Sequence, residues 1–276
     1  MASTVVYGHE WGRAIDQGLA PENFEFVLLC EGDSWMDRSS PAQLSLPWAL
    51  QESFDASGHN ALLVNLSHFG DTMVRIGEHV NGEFLEWVSS NRLYRAILVS
   101  AGGNDFIDAA LDPPVGEGLL NVHRAGMTGA DHVNATAVKQ LRDDYLHRHF
   151  ATLVDAVRHS PQGDVKIYLN SYCVPVARNA PAYPGGKSWL ARAYTNHGIP
   201  ASLWPAVTEE VFRQIGLVVQ DWAASYANVV QVPTTLANLD PATAATGSSG
   251  DWANEIHPNA KGWRKLAPVW RQTMGV

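Results

Sequence analysis

Several things are scarce in this sequence, and each scarcity excludes something. There are only two cysteines in 276 residues, Cys30 and Cys173. Two thiols cannot form a disulfide framework. Both fall at the ends of apolar segments, where they read as small core residues rather than as a bridge. No stretch reaches the about 18 consecutive apolar residues that a membrane span requires, so no integral membrane association is expected. The first residues, MASTVVYGHEW, lack the basic start and apolar run of a signal peptide. The expected location is cytoplasmic, although a secreted mature chain would read the same way. Positive charge is also short: 19 Lys and Arg stand against 28 Asp and Glu, a formal net charge of −9. Such a surface repels phosphate backbones, so nucleic acid is not an expected partner. There is no Gly-x-Ser-x-Gly elbow, which argues against the α/β-hydrolase fold. Gly185-Gly186-Lys187-Ser188 has the end of a phosphate-binding loop, but the glycine needed at position 181 is Pro181. Internal repeats, heptads and low-complexity tracts are missing.

What is present is an ordinary globular composition, 46% hydrophobic and 17% charged. The length suits one domain with a full core, spanning residues 1–276. Five apolar segments read as buried strands: Phe24–Cys30, Ala61–Leu66, Tyr94–Ser100, Val165–Asn170 and Asn228–Val232. They are runs rather than alternations, as expected of parallel strands covered on both faces. Between them lie helical patterns over Pro41–Phe54, Asp71–Ser89, Ala135–Arg158, Pro205–Tyr226 and Asn259–Thr273. This alternation predicts an α/β fold, a five-stranded parallel sheet with helices on both faces. Two stretches break the pattern, 111–134 and 174–204. Long irregular insertions in a compact domain are often binding loops, and equally often surface excursions pinned by their own aromatics.

Four short motifs carry chemistry, and each follows a strand. Glu31-Gly32-Asp33-Ser34-Trp35 follows the first, where Gly32 permits a tight turn and Ser34 can open the next helical segment. Read alone, it is equally a helix cap. Asn65-Leu66-Ser67-His68-Phe69-Gly70-Asp71-Thr72 follows the second, and its glycine can present a backbone N–H to an anion. Ser100-Ala101-Gly102-Gly103-Asn104-Asp105 follows the third, with an amide that can donate to an oxyanion. Asp251-Trp252-Ala253-Asn254-Glu255-Ile256-His257-Pro258-Asn259 follows the fifth, with Pro258 suited to a helix's first turn. Ligands bind at the carboxyl ends of strands in open α/β sheets. A nucleophile, a base and oxyanion donors on that one edge are what acyl transfer needs.

The order Gly-Asp-Ser, Asn-(x)4-Gly-Asp-Thr, Gly-Gly-Asn-Asp and His-Pro-Asn resembles the four sequence blocks of the SGNH (GDSL-type) hydrolases. The resemblance spans Gly32 to Asn259. It implies a flavodoxin-like three-layer α/β/α fold and a serine hydrolase that cleaves carboxylic esters. It implies Ser34 as nucleophile and His257 as base, with the Ser34 and Gly70 N–H groups and the Asn104 side chain as oxyanion donors. It implies no metal and no organic cofactor. Its substrate would be a small-molecule ester: a lipase- or thioesterase-like enzyme would take acyl chains in a long apolar groove, and the alternative, a carbohydrate O-deacetylase, would have a short, polar, aromatic-lined pocket. The sequence departs from the pattern at one position. The family's aspartate three residues before the histidine is here Asn254, which can orient the ring but supplies no charge. Glu255 or Asp251 could supply a carboxylate in its place, or a backbone carbonyl could leave a Ser-His dyad. A non-catalytic binding protein on the same fold is also compatible with Asn254. Trp35, beside the nucleophile, and Trp189 and Trp204, in the second insertion, are candidates to line a substrate pocket. Asp33 is expected to be structural, bonding backbone N–H groups of the turn.

Overall fold

The structure is a computed structural model, and it describes residues 2–37, 44–79, 82–114 and 118–276. Six strands form one sheet: β1 (Thr4–Tyr7), β2 (Phe26–Gly32), β3 (Ala61–Asn65), β4 (Ala96–Ser100), β5 (Ile167–Asn170) and β6 (Val229–Val232). Their order is β1-β3-β2-β4-β5-β6, and every pairing is parallel. β3 and β4 are fully buried apolar runs, as parallel strands with helices on both faces must be.

The expected five strands are all present, and β1 is a sixth. It lies at the sheet edge, is four residues long, and buries only Val6. A short edge strand with one buried side chain has neither an apolar run nor a full alternation, so its sequence carries little signal.

The helices are α1 (Trp11–Asp16), α2 (Leu46–Ala56), α3 (Met73–His79), α4 (Glu83–Ser89), α5 (Gly103–Leu111), α6 (Ala135–Gln140), α7 (His147–Arg158), α8 (Leu190–Asn196), α9 (Trp204–Ser225) and α10 (Ala260–Met274). α10 packs on α2 in one layer. In the other, α3 and α4 pack on α7, and Phe150 of α7 stacks on Trp222 of α9 with ring centroids 4.3 Å apart. The result is the expected three-layer α/β/α sandwich.

Some boundaries differ from expectation. The pattern over Asp71–Ser89 is two helices, with Gly82 at the start of the second; glycine is a poor residue for a continuous helix interior. The pattern over Ala135–Arg158 is α6 and α7 joined through a π-helical segment, Leu141–Leu146. Residues 41–43 of the expected Pro41–Phe54 helix lie outside the described residues. Asn259, not Pro258, opens α10: its side chain caps the Lys261 and Gly262 N–H groups, and Pro258 sits one residue earlier. The 174–204 insertion contains α8 and a short 3-10 turn, Ala201–Leu203. Cys30 and Cys173 are both buried and unpaired.

Connection order matters for function here. The chain leaves β2 for β3 on one side and reaches β4 on the other. The reversal opens a crevice at the carboxyl end of β2, the place where doubly wound sheets bind ligands. Ser34 lies two residues beyond that end.

Candidate active site

Gly32 closes β2 with φ +135°, in register with Ser100 of β4. A Cβ there would lie 2.1 Å from the Ser100 carbonyl oxygen, so only glycine allows the two strand ends to come this close. The Asp33 N–H donates to that same carbonyl at 3.0 Å. The chain then turns sharply, with the Met36 and Asp37 N–H groups both donating back to the Asp33 carbonyl. Ser34 therefore sits in a hydrogen-bonded turn rather than at the start of a helix.

Asp33 holds this turn from beneath. Its carboxylate accepts from the Trp35 N–H at 2.9 Å, from Ser100 Oγ at 2.6 Å and from the Tyr172 hydroxyl. Burial pushes its pKa up to about 6, against the lowering effect of those three bonds. Asn65, at the end of β3, ties the next loop to the same turn by donating to the Met36 carbonyl at 3.1 Å.

The opposite side of Ser34 is built from the loop before α10. Ser34 Oγ and His257 Nε2 are 2.7 Å apart, and His257 Nδ1 is 3.0 Å from Asn254 Oδ1. All three residues are buried. Asn254 Oδ1 also accepts the Ile256 and His257 N–H groups, at 3.1 and 2.9 Å. Those two backbone donors fix which end of the amide faces the ring. With oxygen facing Nδ1, the neutral imidazole carries its proton on Nδ1 and turns a lone pair on Nε2 toward Ser34. Burial pushes the His257 pKa down to about 4, so the ring is neutral across the physiological range.

The two carboxylates that could have replaced the missing aspartate are engaged elsewhere. Glu255 turns into the second insertion and accepts four backbone N–H groups, those of Arg178, Trp189, Leu190 and Ala191. It thereby satisfies the start of α8. Asp251 accepts the Asp240 N–H at 2.7 Å and pairs with Lys265 at 2.6 Å and Lys261 at 3.1 Å.

On the donor side, Asn104 lies in the first turn of α5, beside Ser34 in a common cavity. One of its two N–H donors is held by the Asp71 carbonyl at 2.9 Å, and the second has no acceptor among the described residues. Gly70, with φ +82°, immediately precedes Asp71, so the same bond couples its turn to Asn104. The Ser34 and Gly70 N–H groups have no acceptor among the described residues.

The cavity is small. It measures about 10 Å³, the space of about one water molecule. Ser34, Gly103 and Asn104 form its polar end, and Trp35, Ile107, Tyr172, Phe212 and Ile256 its apolar walls. Trp35 is thus where the sequence suggested. It is locked edge-on against Tyr172 and Trp263, and its indole N–H reaches the Ile256 carbonyl at 3.3 Å. Trp189 also reaches the site, edge-on to the His257 ring at 5.7 Å between centroids. Trp204 does not line this cavity: its indole donates to the Ile199 carbonyl and its ring packs against Tyr194.

Three residues of the site went unnoticed in the sequence. Phe69, half exposed, lies 6.2 Å from the His257 ring between centroids, and with Trp189 it borders that ring. Tyr172 is anchored to Asp33, and Phe212 projects from α9. Tyr172 had a legible signal, since it follows β5 as the other motifs follow their own strands. Phe212 is one apolar position among many in a helical stripe and had none.

No protein-family model and no curated protein matches the chain. Solved structures do. A catalytic mutant of an acetylxylan esterase from Geobacillus stearothermophilus superposes with a TM-score of 0.53 at 14% identity, covering 91% of this chain and 95% of that one. A lipase from a goat rumen metagenome gives a TM-score of 0.52 at 9% identity, covering 90% and 97%. Across nearly its whole length, the chain has the α/β/α fold that its resemblance to the SGNH hydrolases implied.

Proposed function

We propose that this protein is a serine hydrolase of small carboxylic esters, working through an acyl-enzyme on Ser34. The observation that carries the reading is the buried Ser34–His257–Asn254 relay, with contacts of 2.7 and 3.0 Å. Its shape is that of a catalytic triad with an amide in the third place, an arrangement known to support acyl transfer in Cys-His-Asn proteases.

In the proposed reaction, His257 Nε2 takes the hydroxyl proton as Ser34 Oγ attacks the ester carbonyl. The oxygen that becomes negative is held by the Ser34 N–H, the Gly70 N–H and the free N–H of Asn104. His257 then returns the proton to the leaving alcohol. Water, deprotonated by the same histidine, cleaves the acyl-enzyme and restores Ser34. Asn254 holds the ring in the productive tautomer. Asp33 acts one step back, fixing the turn that carries Ser34.

A second reading has one observation in its favour. Asn254 brings no negative charge to the imidazolium, so a protein that binds esters without turning them over would keep the same geometry. Hydrolysis of p-nitrophenyl acetate by the wild type and by Ser34→Ala separates the two. Turnover that the serine substitution abolishes supports the esterase. A folded wild type that binds but releases no nitrophenol supports the binding protein.

A further inference from the structure

The reading as an esterase leaves the acyl group undefined, and the walls of the Ser34 cavity define it. Two side chains, Tyr172 and Phe212, line that small cavity on one face. On the other they line a groove of about 510 Å³ between α9 and the ends of β5 and β6. Tyr172 and Phe212 are the only lining residues the two spaces share, which makes them the boundary between the two. From the inference that Ser34 is the nucleophile, we propose that this boundary limits the acyl group to acetyl, and that Phe212 is the residue that sets the limit.

The volumes carry the argument. Space for about one water molecule beside Ser34 and Asn104 accepts the methyl of an acetyl group. A longer chain directed into this cavity would run against its walls, which on the groove side are Tyr172 and Phe212. The groove beyond is far larger, and the only lining residues it shares with the Ser34 cavity are Tyr172 and Phe212, so a chain running from Ser34 toward it must displace one of them.

The partners of the two rings are unequal. Tyr172 is fixed, its hydroxyl donating to Asp33 and lying 3.1 Å from Ser100 Oγ. Moving it would disturb the turn that holds Ser34. Gly103 also abuts it, since a Cβ there would come within 2.7 Å of the Tyr172 ring. Phe212 has no polar anchor and stands on one face of α9, close to the groove-lining Gly216. It is the part of the wall that can change without touching the relay.

The test is the specificity of p-nitrophenyl esters from acetyl to octanoyl, for wild type, Phe212→Ala and the milder Phe212→Leu. One methylene too many in a tight apolar site costs about 10-fold or more in kcat/KM. Wild type should therefore fall at least about tenfold from acetyl to propionyl, and at least about a hundredfold by hexanoyl. Phe212→Ala should raise the hexanoyl-to-acetyl ratio at least about tenfold, and Phe212→Leu should raise it less. If Phe212→Ala does not fold, the wild-type series and the leucine variant decide. A wild-type profile that is flat or rises with chain length overturns the inference and leaves the esterase standing. So does a hexanoyl-to-acetyl ratio that neither variant moves. Failure to hydrolyse any ester overturns both, and is distinguishable for that reason.

Discussion

Replacing Asn254 by aspartate adds one negative charge to the relay and almost nothing else. Asn254 Oδ1 already accepts the Ile256 and His257 N–H groups and faces His257 Nδ1, so the ring is in the right tautomer before the substitution. Asn254 Nδ2 is buried without a partner, and an aspartate removes that orphaned donor. The new carboxylate has a cation nearby, since Arg178 Nη2 donates to the Asn254 carbonyl at 2.8 Å. A unit charge about 4 Å from the imidazolium stabilises it by about 4 kcal/mol at an effective dielectric constant near 20. That corresponds to about 3 pK units, so the His257 pKa moves from about 4 to about 7.

Two measurable effects follow. General-base activity is lost as pH falls through the pKa of the base, so the acid limb of kcat/KM sits near pH 4 in wild type and near pH 7 in Asn254→Asp. At pH 8, where both histidines are neutral, the same charge stabilises the imidazolium of the transition state. The imidazolium is only partly formed in the transition state, so part of the 4 kcal/mol is realised there, a gain of about a hundredfold in kcat/KM. The assay is initial-rate hydrolysis of p-nitrophenyl acetate from pH 4 to 9, with enzyme stability verified at each pH. An acid limb that stays near pH 4, or a kcat/KM that does not rise in a folded variant, would refute the reasoning.

Two further predictions concern stability. Glu255→Ala leaves four backbone donors, three of them buried, without an acceptor and unties the second insertion from the histidine loop; it should cost about 3–5 kcal/mol in urea unfolding, and a cost below about 1 kcal/mol would contradict the assigned role. Burial pushes the Asp105 pKa up to about 7, opposed by hydrogen bonds that include one from the Met73 N–H at 2.8 Å. The folded state thus binds its proton more tightly than the unfolded state, and this stability is present below pH 4 and is lost as pH rises through about 7. Asp105→Asn keeps the acceptor and removes the titration, so its advantage over wild type should grow by about 2–4 kcal/mol between pH 5 and 8.5. Thermal melts at the two pH values test this, and a pH-independent difference would contradict it.

The sheet and its candidate site were legible because parallel strands covered on both faces are apolar runs, and because three of the four motifs follow a run directly. Ser34, Asn104 and His257 fall on one edge by strand order alone. Less legible was what depended on distant packing. Asn254, Glu255 and Asp251 lie within five residues on an irregular loop, where no periodicity tells which side chain faces the ring. Only the fold shows that Glu255 turns outward to α8 and Asp251 to Lys261 and Lys265. The pairing of Tyr172 and Phe212 joins the loop after β5 to α9, and spacing along the chain does not report it. Trp204 is a pocket candidate only because its insertion is rich in aromatics; at the start of α9, its ring packs on Tyr194.

The central claim is that Ser34 is a nucleophile activated by His257. Reaction of the folded protein with a fluorophosphonate, read by mass spectrometry, tests it most directly. The account predicts one adduct per chain on the peptide that carries Ser34, absent in Ser34→Ala and formed far more slowly in His257→Ala. No adduct on a folded wild type, or an adduct that survives Ser34→Ala unchanged, would contradict it.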